Sequence, residues 1–221
     1  MASVVHCIFC FDVLAARLSN RSPVSLSTIQ SSWPSFLSAT GSASAAAEPL
    51  PASASYPLFV TWNTLTDGST DLRGCIGTFS AQPLATGLAS YAVTAALRDS
   101  RFTPVRLAEL PDLQAAVTLL TDFEPCKNKF DWTVGEHGII VKFRYRGEGL
   151  SATFLPDVMV EQGWDKEETL KHLMRKAGWR GNLREWDTVE LEVERYKGSK
   201  AKASYKEWKK WHEWYTAEGN V

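Results

Sequence analysis

The stretch Asp71-Leu72-Arg73-Gly74-Cys75-Ile76-Gly77-Thr78-Phe79 decides how we expect the chain to fold. It is typical of a β-strand that follows a turn and carries two glycines. Successive side chains of a strand point to opposite faces, so Arg73 and Cys75 are predicted on one face and Gly74 on the other. A glycine in a strand removes the side chain where a ligand or another segment must come close. This strand is therefore predicted to lie against a ligand or a packed helix.

The elements on both sides of this strand indicate the fold class. Residues 56–62 predict a preceding strand, and residues 83–99 predict a following helix with apolar positions at helical spacing. Farther along, residues 139–145 and 150–154 flank a Gly-rich turn, which is typical of a hairpin. Because antiparallel hairpins alternate with separated helices and no strand-helix-strand unit repeats, we predict an α+β fold with antiparallel or mixed sheets and flanking helices.

The composition excludes several classes of protein. The 221 residues have a formal net charge of -1, which argues against a protein that coats nucleic acid or an anionic membrane. No apolar stretch reaches the length of a membrane span, so no membrane partner is expected. The nine tryptophans indicate either an aromatic core or aromatic binding surfaces.

The four cysteines indicate the compartment. They are too few and too scattered for a disulfide scaffold, and Cys7 and Cys10 are expected to be small core residues of a helix at 4–18. We therefore expect an intracellular protein, cytoplasmic or nuclear. A mitochondrial transit peptide remains an alternative, because two arginines precede a Ser-rich tract with few acidic residues.

Residues 22–55 differ sharply from the rest of the chain. Ser, Ala and Pro occupy 22 of these 34 positions, and Glu48 is the only charged residue. A segment of this composition buries little apolar surface, so we predict a flexible insert, at most weakly structured around Trp33 and Phe36. The remainder is predicted as one domain over residues 1–216, followed by a short tail at 217–221.

Several motifs together resemble the AMMECR family, the domain named after the AMME syndrome chromosomal region. The most specific is the signature at residues 72–79, Leu-Arg-Gly-Cys-Ile-Gly-Thr-Phe. Other matching motifs lie at 9–14, 56–62, 99–102, 119–121, 137–139, 155–156, 161–164 and 173–178. The chain departs from the family pattern at Thr103, where the family usually has a second proline. On these motifs the chain is identified as a eukaryotic member of the family.

The resemblance implies a fold with a larger and a smaller subdomain and shared motifs near the groove between them. It does not imply a settled activity. Prokaryotic members of the family are associated with Memo-like and radical-SAM-like proteins. The resemblance therefore implies a role in a modification pathway. Eukaryotic members are linked with nuclear or cytoplasmic regulatory roles. Whether the chain is an enzyme is therefore left open.

The signature also suggests chemistry on its own. A guanidinium beside a thiol favours the thiolate, so Arg73 and Cys75 predict a nucleophile next to a group that binds anions. Alternatively, Cys75 fills a buried spot, and Gly74 and Gly77 allow a helix to pack closely. Ser100 and Arg101 follow the predicted helix. Arg101 either joins Arg73 in an anion site or stabilises the C-terminus of that helix.

Residues outside the signature suggest fewer roles. His137 is either a general base or a turn residue of the core. The histidines and cysteines have no metal-ligand spacing, so neither a metal nor another cofactor is expected. Residues 195–210 carry seven basic side chains against Glu207 alone, which leaves nucleic-acid contact or a nuclear address as alternatives to a solvated helix face.

Two functions of different classes follow. The first is a groove around residues 72–79 that binds a small anionic or nucleotide-like ligand through Arg73, Gly74, Gly77, Ser100 and Arg101, with Cys75 and His137 as catalytic candidates. The second is a non-enzymatic adaptor or regulatory protein that contacts a protein partner through its aromatic residues.

Overall fold

The computed structural model describes residues 1–41, 50–66 and 69–219. In chain order the elements are α1 (Val4–Leu18), α2 (Leu26–Thr40), β1 (Ser55–Thr66), β2 (Ser69–Pro83), α3 (Leu84–Leu97), β3 (Leu113–Pro125), β4 (His137–Tyr145), β5 (Glu148–Phe154), α4 (Pro156–Gln162), α5 (Lys166–Ala177), β6 (Glu192–Ser204) and α6 (Tyr205–Ala217). Short 3-10 helices occupy Leu107–Asp112 and Leu183–Thr188. The predicted α+β class is confirmed. None of the helices in the described ranges is long and apolar enough to cross a membrane.

The chain divides into a larger and a smaller compact unit. The first unit contains Met1–Leu119 and Ser199–Val221, and the second contains Leu120–Gly198. Strands β3 and β6 each contribute residues to both units. Each unit has its own hydrophobic core.

The first unit is built on β1, which pairs antiparallel with β2 on one side and β3 on the other. Alternate residues of β1, among them Val60 and Trp62, are buried on the face that packs against α3. The Trp62 indole donates a hydrogen bond to the Ala92 carbonyl, 2.9 Å away, so its one polar group has a partner inside the core. On α1, Cys7 and Cys10 are fully buried.

Helix α2 corrects the prediction of a flexible insert for Leu26–Thr40. The Ser25 hydroxyl caps its first turn, and Gly41 ends it with a left-handed φ of 63°. One face is buried, at the helical spacing of three and four residues that Leu26, Ile29, Trp33 and Phe36 follow. The segment is rich in Ser and Pro, so its average composition does not reveal these four apolar positions. They nevertheless pack one face of the helix against the first core. Residues 42–49 of the predicted insert and residues 220–221 of the predicted tail lie outside the described residues.

The second unit is built on β4, which pairs antiparallel with β5 and β6. The β4–β5 hairpin turns through Arg146 and Gly147, with φ of 53° and 85°. Two successive positive φ values are the signature of a tight type I′ hairpin turn. Helix α5 begins with a capping box between Asp165 and Glu168 and ends at Ala177, with Gly178 as its left-handed C-cap. Its buried face meets β4 in the second core.

Candidate functional site

Arg73 lies at a bulge in β2. The Cα partner of Trp62 is Gly74, while the partner of the next residue of β1, Asn63, is Leu72, so Arg73 is the extra residue. A bulge bends the strand and redirects the side chain of its extra residue. The Arg73 side chain is only 13% exposed and donates from Nε to Glu109 Oε2 at 3.0 Å. Its buried Nη1 makes no hydrogen bond within the part of the chain that the structure describes.

Glu109 holds this arginine and is itself held by the 3-10 helix at Leu107–Asp112. Its second carboxylate oxygen accepts the backbone N–H of Arg106 at 2.8 Å, which fixes the carboxylate at the start of that helix. Burial raises the pKa of Glu109, but the hydrogen bonds and charges of Arg106 and Arg73 lower it more, so its pKa is below the ordinary value. Glu109 is therefore ionised at neutral pH. It accepts a hydrogen bond from Nε of Arg73, and Nη1 of that guanidinium has no acceptor among the described residues.

The two glycines of the signature are surrounded by protein atoms. A Cβ atom on Gly74 would lie 2.1 Å from the Ala95 carbonyl oxygen of α3, and one on Gly77 would lie 2.3 Å from the Phe59 ring of β1. Contacts that short do not occur in folded proteins, so both positions need glycine for packing. The close approach predicted for Gly74 is made by α3, which favours the helix-packing alternative stated above for this residue.

Cys75 is half-buried on the opposite face of β2 from Gly74. Its partner across the strands is Thr61, whose hydroxyl donates to the Cys75 sulfur at 3.1 Å. Cys75 is therefore only partly buried, and its sulfur accepts a hydrogen bond from Thr61. The Phe59 and Phe79 rings, in contact with centroids 5.3 Å apart, lie farther along the same two strands.

Asp99 and Arg101 occupy the outer edge of β2 at Cys75. Because β2 is at the end of the strand order, its outward backbone groups have no neighbouring strand. The Cys75 N–H instead donates to Asp99 Oδ2 at 2.9 Å, and Arg101 Nη2 donates to the Cys75 carbonyl at 3.1 Å. The ion pair therefore provides hydrogen-bond partners for the N–H and the carbonyl of Cys75, as a neighbouring strand on that side of β2 would.

The Asp99–Arg101 pair is also a bidentate salt bridge. Arg101 donates from Nε at 2.9 Å and from Nη2 at 2.7 Å to the two carboxylate oxygens. These hydrogen bonds are the largest cause that holds the pKa of Asp99 well below its ordinary value, against the opposing effect of burial. Asp99 is 4% exposed whereas Arg101 is 55% exposed, so the pair has a buried anion and a cation open to solvent. Ser100, between them, is exposed.

His137 belongs to the second unit, at the start of β4, whereas the other predicted site residues belong to the first unit. It is buried, and its Nδ1 accepts the backbone N–H of Thr133 at 3.1 Å. Its Nε2 lies 3.8 Å from Glu136 Oε1. His137 lines a cavity of about 370 Å³, together with five charged residues: Asp122, Glu124, Glu136, Arg195 and Lys197.

The basic run at 195–210 is divided between β6 and α6. Arg195 forms ion pairs with Glu124 and Asp131, Lys197 with Glu136, and Lys209 with Glu213 one helical turn later. On α6, Trp208 and Trp211 are buried, and Lys206, Lys209 and Lys210 are exposed. This arrangement is that of an amphipathic helix with a solvated basic face. Among the residues that the structure describes, no group of three His, Cys, Asp or Glu side chains could hold a metal ion.

Sequence reasoning missed the partners that position the signature. Asp99 and Glu109 bind the two arginines, and Thr61 contacts the thiol. The spacing Asp99-x-Arg101 was a usable signal, because an acid two residues before an arginine can form a local pair. The pairing of Arg73 with Glu109, 36 residues away, has no signal in the sequence.

Comparison with known proteins gives consistent matches. The AMMECR1 family model matches residues 7–201. A Schizosaccharomyces pombe protein is 38% identical over 203 residues, which is 92% of this chain and 93% of that protein. An Arabidopsis thaliana protein is 43% identical over 158 residues, covering 70% of this chain and 74% of its own. The crystal structure of a Pyrococcus horikoshii protein has a TM-score of 0.56 at 26% identity, over 87% of this chain and 91% of that one. The names of these three proteins state no activity.

Proposed function

The chain belongs to the AMMECR1 family, and from this premise we propose that it binds a small anionic or nucleotide-like ligand beside residues 72–79. One observation carries the proposal. The Arg101 guanidinium is 55% exposed, yet it is fixed by the buried Asp99 carboxylate and the Cys75 carbonyl. A cation fixed in this way binds an anion without first losing side-chain freedom, which lowers the cost of binding.

Arg73 gives the proposal a second cation. Glu109 accepts from its Nε and leaves Nη1 without a hydrogen bond among the described residues. A buried guanidinium nitrogen without an acceptor is costly, so an anionic ligand oxygen would stabilise the folded protein there. The planar guanidinium suits phosphate and carboxylate groups, which it contacts with two donors.

Cys75 lies two residues after Arg73 on β2, its carbonyl accepts a hydrogen bond from Arg101, and the residue is half-buried. In this proposal the ligand covers the thiol, which makes Cys75 both a reporter of binding and the nucleophile we propose for any reaction that follows. Ser100, exposed next to Arg101, is the residue we propose as a further polar contact. The modification pathway that the family resemblance implies is compatible with such a site.

The experiment measures the rate at which iodoacetamide labels Cys75, resolved by peptide mass spectrometry, with inorganic phosphate or AMP added. Chloride at the same ionic strength is the reference, because salt screens charges without occupying the site. We expect saturable protection by at least one of the two anions. Arg101→Gln and Arg73→Gln should each weaken the protection about tenfold, the effect of one lost charge-assisted hydrogen bond.

Arg98→Gln is the matched control, since Arg98 is exposed at the end of α3 near Arg101. Its protection should equal that of the unmodified chain. If neither anion protects Cys75 beyond chloride, or if the three arginine variants behave alike, the proposal is wrong.

The adaptor alternative has weaker support. Seven of the nine tryptophans are buried, and Trp164 and Trp214 are half-buried. The aromatic surplus that motivated a protein-binding surface therefore supplies the two cores. We accordingly rank ligand binding above the adaptor role.

We also propose that the protein resides in the nucleus or the cytoplasm. All four cysteines are free, and two are buried in the first core. Free thiols are typical of a reducing compartment. Fluorescence microscopy of the full chain tagged at its C-terminus checks this assignment, and a mitochondrial signal would contradict it.

A further inference from the structure

The cavity beside His137 is lined entirely by ionisable side chains. Strand β6 supplies Arg195 and Lys197, two residues apart and therefore on one face. His137 of β4 lies directly opposite Lys197 in the strand register. The end of β3 contributes Asp122 and Glu124. All of these residues belong to the second unit, and none takes part in the site proposed at Cys75.

Arg195 is a structural member of this set. Its Nε and Nη2 donate to Glu124 Oε2 at 3.2 and 2.9 Å, and its Nη1 donates to the Asp131 carbonyl at 2.9 Å and to Asp131 Oδ1 at 3.1 Å. Each of its three nitrogens is thus occupied by a protein acceptor. Its role is to hold the end of β3 and the segment before β4 against β6.

His137 presents a hydrogen-bond donor to the cavity. Because Nδ1 accepts the Thr133 N–H, it carries no proton, and the neutral ring has its hydrogen on Nε2. The nearest carboxylate oxygen to Nε2, on Glu136, is 3.8 Å away, which is too long for a hydrogen bond. His137, whose side chain is only 11% exposed, therefore lines a polar cavity and has an N–H with no acceptor in the described part of the chain.

Lys197 adds further donors and Asp122 adds acceptors. Lys197 bonds to Glu136 at 3.1 Å, and within the described ranges this uses one of its three N–H groups. Asp122 accepts a hydrogen bond from the Thr121 hydroxyl at 3.1 Å, and no cation of the described chain pairs with it. Asp122 also has a φ of 55°, an unusual backbone conformation for a residue other than glycine.

We propose that this cavity binds a small zwitterion, a molecule with an ammonium and a carboxylate group such as a free α-amino acid. The carboxylate pairs with His137 Nε2–H and Lys197, and the ammonium pairs with Asp122. A ligand with one charge would satisfy only one of these two sets. The cavity volume of about 370 Å³ is near the lower end for ligand pockets, which suits a compact molecule.

The experiment follows the imidazole signals of the full chain labelled with ¹³C-histidine. The chain has four histidines, so His137→Gln identifies the His137 signal by its loss. The probes are the common α-amino acids, each compared with the amine and the acid that lack one charge; for L-alanine these are ethylamine and propionate. We expect at least one amino acid to shift the His137 signal saturably, with an affinity about tenfold above that of either analogue.

Two variants test the assigned contacts. Asp122→Asn keeps the backbone conformation, which asparagine tolerates, and Lys197→Gln removes the ammonium. Each should weaken binding about tenfold. Asp112→Asn and Lys202→Gln, both exposed and outside the cavity lining, should leave the affinity unchanged.

Three results overturn the proposal. The first is that no amino acid shifts the His137 signal saturably up to millimolar concentrations. The second is that propionate or ethylamine binds as tightly as alanine, which makes the cavity a site for a single charge. The third is that the two cavity variants bind like their controls.

Discussion

Gly74 shows how a single missing side chain determines the shape of the signature. Its Cα lies so close to α3 that an added Cβ would be 2.1 Å from the Ala95 carbonyl oxygen. A backbone atom cannot rotate away, so the helix itself would have to move. We therefore predict that Gly74→Ala lowers the free energy of unfolding by about 1–3 kcal/mol, as overpacking does. Urea unfolding followed by tryptophan fluorescence measures the change.

Gly149→Ala is the control for this substitution. Gly149 lies in β5, nothing lies within 4 Å of its added Cβ, and its φ is not positive. The free energy of unfolding of the Gly149→Ala variant should rise slightly or stay within about 0.5 kcal/mol of that of the unmodified chain. Equal stabilities of the two variants would contradict the packing role of Gly74.

Asp99 is the second residue whose contribution can be isolated. Its pKa is well below the ordinary value in the folded protein, because Arg101 donates hydrogen bonds to it. The unfolded carboxyl has a pKa of about 3.9, so the folded state binds its proton less tightly. The stability that results is complete above about pH 4 and is lost as the pH falls toward the folded pKa.

We predict that Asp99→Asn lowers the free energy of unfolding at pH 7 by about 1–3 kcal/mol, since it removes charge-assisted hydrogen bonds to Arg101 and the Cys75 N–H. The difference between the variant and the unmodified chain should shrink between pH 4 and pH 2, where Asp99 of the unfolded chain binds a proton that the folded state does not. Urea unfolding at a series of pH values measures both. A difference that stays constant or grows with acidity would show that Asp99 acts by shape alone.

At the scale of elements, α2 is where composition and structure disagree. Its buried stripe includes Phe36, whose ring contacts Trp33 and Trp214 at centroid distances of 5.0 and 5.6 Å. A flexible insert would lose nothing on truncation of this ring. We predict instead that Phe36→Ala lowers the free energy of unfolding by about 3–5 kcal/mol, the usual cost of removing a buried phenylalanine.

Ser35→Ala provides the reference for α2, because Ser35 is the exposed neighbour of Phe36 on the same helix. Its effect should be within about 0.5 kcal/mol of zero. Chemical unfolding of both variants makes the comparison. If Phe36→Ala is as mild as Ser35→Ala, the helix does not contribute to the core.

The elements that the sequence predicted correctly carry local signals. Helix α1 has an apolar run, and the β4–β5 hairpin has a Gly-containing turn. Each of these signals depends on neighbouring residues, so it can be recognised without the rest of the fold. Helix α2 has no charged residue and contains Pro34, so its average composition indicates a flexible segment. The four buried apolar residues that stabilise the helix are recognised only from their spacing.

At the scale of the whole molecule, the motifs of the candidate site can be recognised in the sequence, but the residues that contact them cannot. The signature and the Asp99–Arg101 block are recognisable as motifs, and the structure brings them together through Cys75. Glu109 and the charged neighbours of His137 are joined to their partners only by the fold. Contacts between residues far apart in the sequence depend on strand order and register, which local patterns do not specify.

The four cysteines differ in how deeply they are buried, so their reactivity tests the structure of both units. Cys75 is half-buried on an edge strand. Cys126 is also half-buried, but burial raises the pKa of its thiol, and its sulfur donates to the Asp131 carbonyl at 3.2 Å. Burial raises the pKa of Cys7 to about 12 and also raises that of Cys10. The thiolate is the reactive form of cysteine. Burial therefore slows labelling in two ways, because it blocks access of the reagent and raises the pKa of the thiol.

We therefore predict that iodoacetamide labels the native protein first at Cys75 and then at Cys126. Cys7 and Cys10 should react at least roughly a thousandfold more slowly, because their exposure requires unfolding of a core with a typical stability of at least about 5 kcal/mol. Peptide mass spectrometry at successive times gives the four rates, and labelling in concentrated urea provides the reference in which all four react alike. Native labelling of Cys7 or Cys10 at the rate of Cys75 would contradict the burial of α1, because a thiol within the first core cannot meet the reagent while that core is intact.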